Sequence, residues 1–496
     1  MYQKNFIYLL LILSVKSFAM LILASYGPIA LGPDEAQYWT WSQSLDWGYY
    51  SKPPGIAWEI AFGTFLFGNT ELGVRFGAIV LGFFLPLSVF ELARSCRLHA
   101  DAALMSALML AFSPLGFLAS LFATTDHGYV LFWTLSCVCL IKGIERQAPP
   151  SYLILGLLIG LGALFKWPIY VFWLIVIVAI LANPVLKSRS LIYGFLLSLL
   201  GCLPSLVWNI QHDWSTFRHV IATILGSKGS DYAGPGGNFF DFLGAQAALV
   251  SPLLFILMLI AFIRATKSWK GLRPSLKACC LITIIPLTLY LGAALFKKMQ
   301  GNWAVFVYPT AFVITGWYLI EKMRWGKIWG YAGVILSIFL FGVLVFTPIS
   351  YRYNPLRHCL GWRELNEILV KAGYNPSDDF LFSDHYQMTS LLSFYGPEKK
   401  QAYFFNISGR RKNQFSYWET ADLKEKGKEG YFVIVAPSWT EDRQEKILKN
   451  LQPYFEEVRL ISEAPLWVIH QKPQKIALVF KGIAFKGNQP KDPEIY

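Results

Sequence analysis

The sequence predicts a polytopic α-helical membrane protein that ends in a soluble α/β domain. Three observations carry this. Charged residues make up 15% of the chain and hydrophobic ones 55%, whereas soluble domains average about 25% charged. Apolar runs of membrane-crossing length recur through residues 1–349. From 350 to 496 the composition turns polar. The chain therefore divides into 1–349 and 350–496.

About eleven spans of roughly 20 residues are expected, near 6–29, 72–93, 102–122, 128–142, 152–166, 168–183, 191–208, 241–263, 278–296, 303–321 and 328–348. The first run is long and further spans follow it, so it reads as an uncleaved anchor rather than a leader. Lys166-Trp167-Pro168 breaks the run at 152–183, which is expected to be merged or re-entrant there. Lys and Arg concentrate in alternate loops, most densely between Arg264 and Lys277. The positive-inside rule then places the N-terminus in the cytoplasm. The loop at 30–71, the turns near 126, 212 and 300, and everything after 350 fall outside. The net charge of +13 sits in these short loops, not on a soluble face, so no nucleic-acid partner is indicated. Lys16 falls mid-span and should snorkel or face the bundle. The seven cysteines lie mostly in or beside apolar runs, and no disulfide framework is expected.

In the tail, Leu360–Gly373 is expected to be helical. Phe380–Ser383, Tyr431–Val435 and Leu466–His470 read as strands, and Arg443–Leu451 as an amphipathic helix.

The residues that suggest chemistry lie in the outer loops. Gly32-Pro33-Asp34-Glu35 places two carboxylates just after the first span, where a charge facing lipid would be expensive. A carboxylate at the water boundary suits a general base acting on an acceptor hydroxyl. Tyr38, Trp39 and Tyr50 in the same loop suit interfacial anchoring or sugar stacking. Lys52 suits a phosphate that leaves with negative charge. Thr125-Asp126 supplies a second outer carboxylate, which also reads as a helix N-cap. His212-Asp213 reads as a structural contact or a sugar- or metal-binding pair. Lys297 and Lys298 sit at an apolar boundary where either a donor phosphate or anionic lipid would lie. The Gly- and Ser-rich stretch Gly226–Asn238 reads as a lid or a plain linker. No metal-ligand spacing and no nucleotide-binding motif is present.

Taken together these residues resemble the GT-C membrane glycosyltransferases. The resemblance is to the bacterial protein-mannosyltransferase-like enzymes near the lipid A aminoarabinose transferase branch. It rests on Asp34-Glu35, Tyr49-Tyr50 with Pro53-Pro54, Glu71-Leu72 with Arg75, Thr125-Asp126, Trp208 to Trp214, Asn302-Trp303, Tyr386-Gln387 and Gly409-Arg410-Arg411. It spans nearly the whole chain. Common bacterial relatives carry Asp-His before the Pro-Pro pair, where this chain has Ser51-Lys52, so its donor or acceptor is open to differ.

The resemblance implies a GT-C fold in a bacterial inner membrane with the tail in the periplasm. It implies a polyprenyl-phosphate sugar donor, an envelope lipid, glycan or protein acceptor, and inversion at the anomeric carbon. Asp34, Glu35 and Asp126 would be catalytic. Lys52, Arg75, Lys297 and Lys298 would hold the donor phosphate. Tyr38, Trp39, Tyr50, His212, Asn302 and Trp303 would contact substrate. No cofactor is required, and a divalent metal stays open. A lipid-linked sugar flippase is the alternative, although repeated halves and mid-membrane charges typical of transporters are not evident.

Overall fold

The computed structural model describes residues 1–225 and 236–495. Most of the stretch read as a lid or linker, Gly226–Asn238, therefore lies outside the described residues. The helices are α1 (Tyr2–Tyr26), α2 (Pro33–Ser42), α3 (Gly55–Phe67), α4 (Glu71–Ser95), α5 (Ala100–Phe112), α6 (Pro114–Leu121), α7 (Thr125–Arg146), α8 (Tyr152–Ala163), α9 (Phe172–Ala182), α10 (Ser190–Leu199), α11 (Leu203–Gln211), α12 (Ser215–Leu225), α13 (Phe239–Val250), α14 (Pro252–Lys267), α15 (Pro274–Ala294), α16 (Tyr308–Glu321), α17 (Gly326–Phe346), α18 (Leu365–Lys371), α19 (Tyr386–Tyr395) and α20 (Glu441–Leu451). The strands are β1 (Phe380–Ser383), β2 (Tyr403–Phe404), β3 (Gly430–Ala436), β4 (Phe455–Ile469) and β5 (Lys472–Phe485).

Among the described residues six helices are long and apolar enough to cross a membrane, or nine if each of three bent pairs counts as one span. The two other expected runs, at 152–166 and 168–183, fall on shorter apolar helices, so each of the eleven expected runs is helical although not each is a full-length straight span. The runs at 102–122, 191–208 and 241–263 are broken helices, bent by 64°, 41° and 101°. A proline begins or nearly begins the second segment of each pair: Pro114, Pro204 and Pro252. Proline cannot donate the hydrogen bond that would continue the preceding helix. The run at 152–183 splits into α8 and a second short helix at Trp167, as the Lys-Trp-Pro break requires.

Burial separates the staves. Residues 301–321 form the central one, with 89% of the apolar stretch inside the molecule, whereas α1, α15 and α17 bury only 28% of theirs. The latter three present Leu11, Val15, Phe18, Leu289, Ile335 and Phe339 outward, as lipid-facing helices do. Helices α8 and α10 cross at glycines. A Cβ on Gly156 would fall 2.0 Å from the Gly194 carbonyl oxygen, so their backbones meet only because small residues line the crossing. Lys16 faces the bundle: its Nζ donates to the Gly116 carbonyl over 3.1 Å and lies above the Phe117 ring.

The tail is a five-stranded sheet ordered β2-β1-β3-β5-β4, with β1 parallel to β2 and β3 and the other pairs antiparallel. Strand alternation sends Phe380 and Phe382 to a phenylalanine core with Phe405, Phe432, Phe455 and Phe480. Leu381 on the other face joins a core shared with the loop after α1. That core unites Leu31, Ala36, Trp39, Trp41 and Tyr49 with Leu365, Leu391, Phe394 and Tyr431. The outer loop and the tail therefore fold as one body over the helical bundle.

Candidate active site

The loop after α1 begins with a short helix, α2, in keeping with the interfacial-anchor reading of its aromatics. Pro33 occupies the first turn of α2 with Gly32 as N-cap, and Asp34 and Glu35 follow. Proline there has its φ preset for a helix start, and acids in a first turn oppose the positive end of the helix dipole. Adjacent helical residues point in different directions, and this separates the two carboxylates.

Glu35 turns inward and is 2% exposed. It accepts from Arg75 Nε over 2.9 Å and Nη2 over 2.8 Å, from the Ala123 N–H over 3.0 Å, and from its own N-cap, Gly32, over 2.8 Å. Arg75 also donates to the carbonyls of Ile29 and Ala30 and is fully buried. A guanidinium spent in this way has no face for a lipid phosphate. The expectations that Glu35 is catalytic and that Arg75 holds the donor are corrected: the pair clamps the chain between α1 and α2 onto α4.

Asp34 turns outward and is exposed. Gln387, in the first turn of α19, donates to its Oδ1 over 3.1 Å. The tail thus contributes a side chain to the site. Lys52, half-buried in the following loop, lies within electrostatic reach of Asp34, Asp126, Lys166 and Arg411. Burial pushes its ammonium down to about 8, reinforced by Lys166 and Arg411 and opposed by the two aspartates.

Asp126 opens α7. The cap is Thr124, whose hydroxyl accepts from the Asp126 N–H, so the capping expectation for Asp126 is corrected. Its carboxylate instead pairs with Lys166 and accepts from Asn302 Nδ2 over 2.8 Å. The structure thus brings Asp34, Lys52, Asp126 and Asn302 together from four segments. Trp303 is half-buried beside Asn302.

The remaining aromatics divide. Tyr38 is buried against Trp41, and Trp39 packs on Phe394 and donates to Asn69. Both belong to the core shared with the tail. Tyr50 is buried with its ring against His219 and Tyr417, and its N–H donates to Gln414 over 2.7 Å. It fastens the Lys52 loop to the tail. His212 stacks on Trp208 at 4.1 Å and uses Nδ1 on that residue's carbonyl, while Asp213 pairs with Arg218. These contacts match the structural-contact reading of the pair. Lys297 and Lys298 are exposed just beyond α15, a few residues before Asn302.

Sequence reasoning marked Lys166, beside a Trp-Pro break, only as one of several outer cations open to a function, and it did not single out Glu59. Glu59 pairs with the fully buried His127 over 2.8 Å and joins α3 to α7. An acid inside an apolar run is its only signal.

Residues 51–208 match the dolichyl-phosphate-mannose-protein mannosyltransferase family. The chain is 28% identical over 379 residues to the lipid A galacturonosyltransferase RgtD of Rhizobium johnstonii, covering 73% of this chain and 76% of that one. It is 27% identical over 359 residues to the undecaprenyl phosphate-alpha-4-amino-4-deoxy-L-arabinose arabinosyl transferase of Pseudomonas aeruginosa. That match covers 64% of this chain and 60% of the relative, less than two thirds of the relative's length. The crystal structure of ArnT from Cupriavidus metallidurans in the apo state superposes with a TM-score of 0.67 at 14% identity, over 97% of this chain and 98% of ArnT. The same protein bound to undecaprenyl phosphate superposes at 0.66. The fold is the GT-C fold of ArnT, in line with the resemblance carried by the sequence motifs.

Proposed function

We propose that this chain, a membrane glycosyltransferase of the GT-C fold, moves a sugar from a polyprenyl-phosphate donor to a lipid acceptor of the bacterial envelope. The observation that carries this reading is the convergence of an exposed carboxylate, Asp34, with two lysines, Lys52 and Lys166, at the end of the spans. The names of its relatives support a lipid A acceptor and an undecaprenyl-phosphate donor. The expected address is the inner membrane, with the tail and the site on the periplasmic side.

In this reading the acceptor hydroxyl oxygen attacks the anomeric carbon. The bond from that carbon to the donor phosphate oxygen breaks, and the configuration inverts. Asp34 takes the acceptor proton, with Gln387 holding the carboxylate in place. An acceptor that is itself a phosphate needs no deprotonation, and Asp34 then orients it. Lys52 faces the phosphate as it leaves with its full negative charge. Asp126 and Asn302 set Lys166 beside it. Two lysines supply the charge that a metal ion provides elsewhere, so activity is expected to survive removal of divalent ions by a chelator.

The test is transfer from a radiolabelled polyprenyl-phosphate sugar by purified protein in detergent, with envelope lipids and proteins offered together. Label is expected in the lipid fraction. Label in protein or glycan would move the acceptor class. Failure with every donor, with donor flipping across liposomes instead, would make the chain a transporter.

A further inference from the structure

Between Glu321 and Glu364 the sequence contains no acidic residue but carries Arg352, Arg357 and Arg363 in the stretch that follows α17. Arg363 is paired with Glu71. Among the described residues Arg352 and Arg357 have no carboxylate partner: their contacts are the faces of Tyr353 and Tyr351, at 5.6 and 5.8 Å. Of the carboxylates in the same region, Glu35 is paired with Arg75 and Glu71 with Arg363, while Asp34 accepts from the neutral amide of Gln387 and forms no ion pair with either arginine.

The place of these arginines is fixed. The Ala30 N–H donates to the Cys359 carbonyl over 2.8 Å, and the Leu356 N–H is capped by the Asn354 side chain. Arg357 therefore sits two residues from a segment laid along 30–32, immediately before Asp34. Lipid-facing aromatics flank the same edge, with Phe346 72% exposed at the end of α17 and Tyr26 85% exposed at the end of α1. Unpaired guanidiniums at a membrane boundary suit phosphate, which accepts their forked N–H groups two at a time, and aromatic faces restrict their rotamers without neutralising them.

We propose that Arg352 and Arg357 receive the phosphate of the lipid acceptor, so that its acyl chains lie by the ends of α1 and α17 and its headgroup reaches Asp34. This rests on the function proposed above. Phosphate at this level has two sources, the acceptor and the surrounding phospholipid, and the test separates them.

The full-length protein is assayed with a phosphorylated lipid acceptor and its dephosphorylated form, as wild type, R352A/R357A and R352K/R357K. Nanodiscs of phosphatidylcholine are compared with ones containing phosphatidylglycerol. For the phosphorylated acceptor R352A/R357A should raise KM at least ~10-fold. Its kcat and donor KM should hardly move, and the lysine variant should recover part of the loss. For the dephosphorylated acceptor wild type and variant should share one high KM. An unchanged KM, equal losses for both acceptors, or a loss that follows phosphatidylglycerol content would overturn the assignment. Native mass spectrometry of the phosphorylated lipid on wild type and variant, without donor, reads the same site independently of transfer. Arginine-dependent binding without any transfer would refute the proposed function and leave this site standing. Transfer with arginine-independent binding would do the reverse.

Discussion

Two neighbouring carboxylates show how far residue-level reading carries. The Asp34-Glu35 pair is visible in the sequence, and so is its place at the membrane boundary. Which member is free is not visible, because it depends on the turn of α2 and on Arg75, forty positions away. Charge neutralisation decides it: Glu35 is spent on a buried pair and Asp34 is not. Removing one partner of a buried pair leaves the other charge unpaired and costs about 3–5 kcal/mol. Arg75→Ala should therefore lower the thermal midpoint in detergent sharply, whereas Gln387→Ala should leave it nearly unchanged and act on turnover. Lys52 carries a pH prediction. Its folded value lies near 8, below the ordinary lysine value, so the ammonium is present below pH 8 and lost above it. Donor kcat/KM should then fall through about pH 8. Lys52→Arg, which stays cationic, should abolish that fall. A fall that persists in the arginine variant would remove Lys52 from the phosphate site.

At the scale of elements, the tail is part of the site rather than a cap on it. Helix α19 lies on α2 and ties it to its neighbours: Gln387 holds Asp34, while the Tyr395 hydroxyl accepts from the Leu31 N–H just before α2 at 2.6 Å and donates to Glu71 at the start of α4 at 2.7 Å. Tyr395→Phe removes both Tyr395 links while keeping the ring, so α2 should loosen. The expected result is a drop in kcat of several-fold and faster amide exchange over 30–42, with little change elsewhere in the tail. Strands β1 and β3 were legible as short apolar runs. The pairing of β4 with β5 was not, because its turn places His470 and Gln471 at φ of 46° and 64°. Tight hairpins of this kind usually announce themselves by Asn-Gly or Asp-Gly, and His-Gln gives no such signal. The bent span pairs were missed for a similar reason. Hydropathy sees a continuous run where a proline or a short break divides two helices.

For the whole molecule, composition and loop charge sufficed for the class, and motif order sufficed for the resemblance. What they could not give is convergence. Asp34, Lys52, Asp126, Lys166, Asn302 and Gln387 come from segments spread over most of the chain, and only the packing of α2, α7 and α19 gathers them. Trp39 and Tyr38 resemble sugar-stacking residues in sequence, yet the docked tail buries them. The central claim is that this assembled site transfers a sugar, with Asp34 acting on the acceptor. The most direct measurement is single-turnover transfer from a polyprenyl-phosphate sugar by wild type and Asp34→Asn, with donor binding and thermal midpoint matched. We expect the asparagine variant to bind donor normally and to transfer at least ~100-fold more slowly, the scale of general-base catalysis. Transfer at the wild-type rate would contradict the account.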